Sequence, residues 1–556
     1  MSRFNQRSVR PAVHSPVKST GERTRTREGA TGYLRDAKSE LFLLAVSNFV
    51  GQDTFYEKGG DRDDRYTQLI RQLAVEDPAW TAGLLGWLRS DANMRTASLV
   101  GAAEFVKARL EATAAGDLVP DTRAENTQGG GWNRQVIASV LQRADEPGEL
   151  LGYWTSRYGR RLPKPVKRGI ADAVQRLYTE RSLLKYDTGS KGYRFGDVLN
   201  LVHAGPAGDK PWQGDLFKHA LDRRHDRSEP IPETLDTVSY NAFVRKRVAD
   251  GALGHLLDAD NLRSAGMTWE DALSLAGGKA DKAMLWEAMI PSMGVMALAR
   301  NLRNFDEAGV SDAVAAQVCA RFADPEQVRE SRMFPFRWWA AYKHAPSLRW
   351  AHALEQALGH SLSNVPRLSG STLILVDRSP SMFPGYGFST PNRSDITLAE
   401  QAAVFGVALA LRTEKPTLVE FGGKSKKLNV VKGGSVLKHI EAFGQIDGTD
   451  IPSAVKAHWF AHDRIVIVTD EQTRPGWLPS NMVMYGGMRE TAIDDLVPKG
   501  IPVYMWNMAG YKPGAMPSGM TGRHTFGGLT DQAFRMIPLL EQGRDARWPW
   551  EDAPAA

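Results

Sequence analysis

This sequence predicts an α-helical solenoid followed by an α/β domain built on a doubly wound sheet. Two changes of pattern along the 556 residues carry that expectation. From Glu40 to about Leu362, apolar residues recur at helical spacing and proline and glycine punctuate them. Beyond that point short apolar runs alternate with helical stretches, the pattern of an open, mostly parallel sheet.

The elements follow in order. Met1 to Ala30 holds Arg3, Arg7, Arg10, Lys18, Arg23, Arg25 and Arg27 against Glu22 and Glu28. It has no apolar core of the kind a secretory signal needs and reads as a disordered basic arm, residues 1–30. Leu41, Leu44, Ala45, Asn48 and Phe49 open the helical region, and Leu69, Leu73, Trp80, Leu84, Leu88, Leu99, Ala103, Val106 and Leu110 continue it. Pro78, Pro120, Pro147-Gly148 and Pro163 mark short turns. Leu285, Met289, Met293 and Met296 extend one core face across Pro291, expected in the first turn of the following helix. Helix pairs in series, each too short to bury a core alone, suggest stacking of the HEAT type.

In the C-terminal part, Leu373–Val376, Leu418–Phe421, Ile465–Val468 and Val503–Trp506 read as buried parallel strands, with helices at Leu398–Leu411 and Ile451–Phe460. Three segments at strand ends carry chemistry. Leu373-Ile-Leu-Val-Asp-Arg-Ser-Pro-Ser381 runs from a strand into Asp377, Ser379 and Ser381. Gly448-Thr449-Asp450 opens a helix, and Arg464-Ile-Val-Ile-Val-Thr-Asp470 ends a strand on a carboxylate. Magnesium prefers octahedral oxygen ligands and commonly retains water or takes an outside ligand. Asp377, Ser379, Ser381, Thr449 and Asp470 supply such a shell with one position open, at the strand ends where open sheets bind ligands. The blander alternative makes the serines helix caps and the aspartates ordinary loop residues.

These segments resemble the metal-ion-dependent adhesion site of von Willebrand factor A domains. The helical part carries its own resemblance. Trp286-Glu-Ala-Met-Ile-Pro-Ser-Met-Gly-Val-Met-Ala-Leu-Ala-Arg-Asn-Leu-Arg-Asn-Phe305 is similar to a signature of the TROVE module. Gly83–Thr96, Asp197–His203 and Met333–Lys343 agree with it. A TROVE module followed by a von Willebrand factor A domain is the layout of the Ro ribonucleoprotein autoantigen family and its bacterial relatives. The resemblance implies a TROVE module over 31–365, a von Willebrand factor A domain over 366–545 and a tail over 546–556. It also implies a monomeric ring of HEAT-like helices that binds small structured Y RNA on its outer surface. The ring's central hole takes the single-stranded 3′ ends of misfolded noncoding RNA, and an exoribonuclease such as polynucleotide phosphorylase joins in RNA quality control.

Candidate RNA contacts start from charge. Arg160, Arg161, Lys164, Lys167 and Arg168 crowd the start of a helix, and Lys185, Lys191, Arg194 and His203 follow. Cations engage phosphates without reading sequence, and helix N-termini add backbone donors. By resemblance, the Y RNA contacts fall on Lys185, Lys191 and His203. Arg300 and Arg303, spaced one turn apart, are candidates for facing a single strand from one side of a helix, as are Arg245-Lys-Arg247 and Arg223-Arg224. The alternative for all of them is a solvated charged face.

Composition bounds the rest. Seventy Lys+Arg against 64 Asp+Glu give a net charge of +6, a modest excess that permits a polyanionic partner without requiring one. Cys319 is the only cysteine, so no internal disulfide forms, and no run of about 20 apolar residues is available to span a bilayer. A cytoplasmic protein is the expectation. No Walker phosphate loop, nucleophile elbow or His-Glu-x-x-His pair is present, and the hydroxyl-rich metal shell points to docking, not catalysis. The competing function is a protein-binding adaptor that grips an acidic side chain through its metal and has no RNA role.

Overall fold

The structure, a computed structural model, describes residues 14–47, 50–119, 131–345, 347–363, 365–383, 396–479, 488–520, 522–529 and 534–551. Arg3, Arg7, Arg10, Asn48, Phe49, Pro120 and the last residues of the tail lie outside them. Packing divides the chain into two compact units, one of residues 70–331 and 344–351, the other of residues 1–69, 332–343 and 352–556.

The regular elements of the first unit are all helices among the described residues. Left-handed residues end two of its helices: Arg95–Ala115 stops at Gly116, with φ 87°, and Phe195–Val202 at His203, with φ 56°. Leu84, Leu88, Ala103, Val106, Val166, Ile170 and Val174 are buried, as their helical spacing requires. Charged residues are buried with them, Glu104 and Glu146 completely. Glu146 accepts hydrogen bonds from Arg89 Nη2 at 2.7 Å and Arg95 Nε at 2.9 Å, and Glu104 accepts one from Tyr153 Oη at 2.6 Å. Paired in this way, a buried carboxylate fixes the register of its helices, although it adds little net stability.

Three sequence expectations fail in this unit. Pro291 sits in a 3-10 turn, Ile290–Ser292, between the helices Lys282–Met289 and Val295–Arg300, and not in the first turn of the second. The apolar face does not run through, since Met289 and Met293 are buried while Met296 is exposed. Arg300 and Arg303 do not share a helix: one helix stops at Arg300, Asn301 breaks the chain direction and a new helix runs Leu302–Ala308. Asn301 is buried and spends its side-chain amide on the Ala297 carbonyl at 2.8 Å, which stabilises the break.

The second unit is built on a six-stranded sheet. In order across it run Arg523–Gly527, Val503–Asn507, Arg464–Thr469, Leu368–Asp377, Thr413–Phe421 and Ser425–Leu428, all parallel except the last pair. Leu368–Asp377 is central, pairing with Thr413–Phe421 on one side and Arg464–Thr469 on the other. Its residues Leu373–Val376 are fully buried on both faces, which is why they read as a continuous apolar run. Helix Leu398–Arg412 covers one face, and Gly406 is what lets it close down: an added Cβ would collide with the Val376 side chain.

Residues 14–30, expected to belong to a disordered arm, are instead ordered, and residues 1–13 of that arm lie outside the described residues. Ser19–Arg25 and Thr31–Arg35 form an antiparallel hairpin. Its backbone is tied to the sheet's connecting loops, with Tyr33 N donating to Gly514 O at 2.9 Å and Ser19 N to Ser518 O at 3.1 Å. The helical stretch Ala37–Ser47 and the segment from Arg332 to Lys343 also pack in this unit, so a cut at residue 365 follows chain order where packing does not.

Candidate metal centre and nucleic-acid surface

The sheet delivers the proposed metal ligands to one end. Asp377 is the last residue of the central strand, and Asp470 follows the strand Arg464–Thr469 beside it. Ser379 and Ser381 sit in the turn after Asp377, and Thr449 stands one residue before Asp450, which caps the helix Ile451–His458 by accepting from Ser453 N at 2.9 Å. Backbone bonds tie the loops together: Arg474 N donates to Thr449 O at 2.8 Å, and Asp450 N to Gly422 O at 3.0 Å. All five side chains are nearly or fully buried.

Their hydrogen bonds bear on whether they cap a helix or could form a ligand shell. Ser379 opens the short turn Pro380–Met382 but its side chain caps no N–H; its Oγ lies 3.2 Å from Ser381 Oγ. Asp377 accepts from Ser379 N at 2.9 Å and Thr469 Oγ1 at 2.5 Å. Asp470 accepts from Gln472 N at 3.0 Å through Oδ1, while its buried Oδ2 has no partner among the described residues. Burial raises both carboxyls, and for Asp470 the Asp377 charge adds to the burial and pushes it up to about 8. A buried oxygen without a donor is costly. Two buried carboxylates facing hydroxyls, one oxygen unused, suit a hard divalent cation that would satisfy that oxygen and offset the repulsion. The donor set thus fits magnesium. Among the described residues no group of three or more acidic, histidine or cysteine side chains could hold a metal ion, so neutral hydroxyls would have to complete any shell.

Sequence reasoning missed the surroundings of this site. Thr469 holds Asp377 from the neighbouring strand. Glu471, fully buried in a left-handed conformation with φ 66°, accepts from Arg35 Nη2 at 2.5 Å, Asn507 Nδ2 at 2.8 Å and Ala515 N at 2.9 Å. Only the Asp470-Glu471 pair was visible as a signal, because the partners Arg35 and Asn507 lie far away in sequence.

The proposed RNA contacts fall into two groups. Arg160 and Arg161 precede the helix Lys164–Leu177, and Lys164, Lys167 and Arg168 occupy its first turns. All but the half-buried Lys167 are exposed, and none of the five has an ion pair among the described residues. The first turn has no acid, and Pro163 at the cap provides no side-chain acceptor. Several cations at the positive end of a helix dipole favour an anion. This helix packs against Phe195–Val202, at whose end His203 is exposed, and Lys185 is exposed over the Tyr186 ring at 5.2 Å.

The second group is already neutralised. Lys191 lies 3.4 Å from Asp145 and 3.8 Å from Glu149, and Arg194 pairs with Asp187 at 2.9 Å. Arg223 and Arg224 pair with Asp187 and Asp197, and Arg245 with Asp271. A cation that must first leave a carboxylate gives less to a phosphate, so these side chains are better placed to hold loops. Arg300 and Arg303 are exposed on their separate helices.

Comparison with known proteins agrees with this architecture. Residues 262–357 match the family model of the TROVE domain. The stretch includes Trp286 packed edge-on against Phe305 at 5.1 Å, the two ends of the sequence signature. No curated protein matches by sequence. Among solved structures, the Ro (RSR) protein of Deinococcus radiodurans has a similar fold, with a TM-score of 0.59 at 15% identity, covering 91% of this chain and 99% of that one. Residues 262–357 are thus similar to the TROVE domain, and the chain as a whole shares the fold of the Deinococcus radiodurans Ro (RSR) protein.

Proposed function

We propose that this protein is a non-enzymatic RNA-binding scaffold of the Ro type. It takes small structured, Y-like noncoding RNA on the surface around Arg160–Arg168, Lys185 and His203. Single-stranded 3′ ends of misfolded RNA enter the centre of a monomeric helical ring, and an exoribonuclease partner completes a role in cytoplasmic RNA quality control. The observation that supports it best is the unpaired basic cluster at the start of the helix Lys164–Leu177, in a chain similar to the TROVE domain over residues 262–357. The metal centre, holding one Mg2+ through Asp377, Ser379, Ser381, Thr449 and Asp470, serves as a docking point for an acidic group. Its orphaned Asp470 Oδ2 is what favours a protein-binding role beside the RNA role.

The test is the double variant Lys185→Ala/His203→Ala. Both side chains are exposed, so the fold should be unchanged. Affinity for a Y-like stem-loop should fall on the order of 10- to 30-fold, the loss of two charge-assisted phosphate contacts. Binding equal to the parent's in a gel shift would show that these two positions do not touch RNA.

A further inference from the structure

The loop that leads into the strand Arg464–Thr469 holds an aromatic ring out in solvent, at the end of the sheet opposite Asp377. It begins where the helix Ile451–His458 stops and reads Trp459-Phe460-Ala461-His462. Trp459 packs against the sheet's core, whereas Phe460 is 77% exposed. A lone exposed ring means little by itself. This one is fixed in place. Ala461 takes a left-handed conformation, with φ 53°, which a residue bearing a Cβ rarely adopts. Phe460 N donates to His462 Nδ1 at 3.2 Å, and His462 Nε2 lies 3.0 Å from Thr417 Oγ1 on the strand Thr413–Phe421. Backbone strain that presents a ring to water adds nothing to the core, and such strain is a mark of function. Cations share the same face. His458 Nε2 lies 3.0 Å from Ser425 Oγ. Ser425 and Lys427 alternate onto one face of their strand, as Lys415, Thr417 and Val419 do on theirs, and the register sets Val419 opposite Lys427. Lys415 and Lys427 therefore lie on the face that the two histidines cover, and Lys456 stands in the last turn of the helix. All three lysines are exposed and have no ion pair among the described residues. Burial lowers both histidines and the Lys427 charge lowers them further. The loop's acid, Asp463, is engaged by Ser371, accepting from its N at 2.6 Å and its Oγ at 2.8 Å.

We propose that this face is a second nucleic-acid contact: Phe460 stacks on a base of single-stranded RNA while Lys415, Lys427 and Lys456 take the flanking phosphates. The contact goes beyond the function proposed above, because it lies on the sheet unit and uses none of the residues named there. Every base has a π-face, so stacking on an exposed aromatic tolerates any sequence. Lysine likewise engages phosphate as a point charge and reads no sequence. The ring selects a single strand, since a base inside a duplex is already stacked and offers no free face. A protein partner fits less well. The core of a protein interface is apolar, whereas Phe460 is bordered by lysine and histidine and is the only large apolar side chain exposed in its loop.

The probe is an oligouridylate of about 12 nucleotides carrying 4-thiouridine, crosslinked to the full-length protein with ultraviolet light and mapped by peptide. In the parent the tryptic peptide 457–464 should carry a crosslink. Phe460→Ala should cut the yield at that peptide about 10-fold, and Phe460→Tyr should keep it. Lys427→Gln should lower the yield several-fold and flatten its salt dependence. Phe460 and Lys427 are exposed, so these variants should fold as the parent does. Lys427→Gln leaves the aromatic acceptor in place, which separates lost binding from a lost crosslinking partner. A crosslink at 457–464 with none within residues 160–203 would support this contact and fail the RNA surface proposed above. No crosslink at 457–464 in the parent would overturn the inference, as would yields equal to the parent's in both Phe460→Ala and Lys427→Gln. A Phe460→Ala protein with unchanged crosslinks that loses a dimer in sedimentation would also overturn it, because the ring would then join two copies of the chain.

Discussion

Asp377→Ala abolishes magnesium binding and leaves RNA affinity within about twofold of the parent. Asp377 is the fully buried carboxylate at the end of the central strand, held in place by Ser379 N and Thr469 Oγ1. Without it the shell retains Asp470 and three neutral hydroxyls. That is too little to offset the dehydration of a small, strongly hydrated cation. The basic helix Lys164–Leu177 belongs to the other unit, so the two activities should separate. Asp377→Asn keeps a hydrogen-bond acceptor at the same place and guards against a variant that loses binding by unfolding. Calorimetry with Mg2+ beside a gel shift on the same preparation gives both answers. RNA affinity that collapses in a folded Asp377→Asn protein would make the metal part of RNA recognition.

Neutralising the whole cluster has the second large effect. Changing Arg160, Arg161, Lys164, Lys167 and Arg168 to Gln removes five unpaired cations from around one helix start. Phosphate contacts release counterions, so the slope of log K against log salt loses about 0.7–0.9 for each contact removed. If most of the five touch phosphate, the slope falls by about 3 and affinity at low salt drops by orders of magnitude. The complementary variant changes Lys191 and Arg194, which are held by Asp145, Glu149 and Asp187. Its slope should move little, although it is expected to loosen the loop between the helices Glu180–Tyr186 and Phe195–Val202. Equal slopes for the parent and the five-residue variant, measured by a salt titration, would place the RNA surface elsewhere.

Much of this was legible in the sequence, for reasons that differ by element. The inner strands announce themselves because both faces are buried, as at Ile465–Val468, and their carboxylate ends follow from the same run. The strand Arg523–Gly527 was hidden. It is fully buried, yet reads Arg-His-Thr-Phe-Gly, because Arg523 pairs with Asp494 and burial pushes His524 down to about 4, so that it packs as a neutral ring on Tyr504. The hairpin strand Ser19–Arg25 was hidden for the opposite reason: its side chains are mostly exposed, so no apolar pattern marks it. The break at Asn301 turns on one buried amide, which spacing alone does not show. At the proposed metal site the five candidate positions come from motifs, whereas Tyr56, Glu28 and Arg474 come together only through the hairpin's long-range bonds.

The most direct test of an RNA-binding scaffold is ultraviolet crosslinking of the full-length protein purified with its natural RNA, followed by sequencing of the RNA and peptide mapping of the crosslinks. The account predicts short structured noncoding RNA crosslinked within residues 160–203. Recovery of no RNA above background, or of crosslinks confined to the sheet unit, would contradict it.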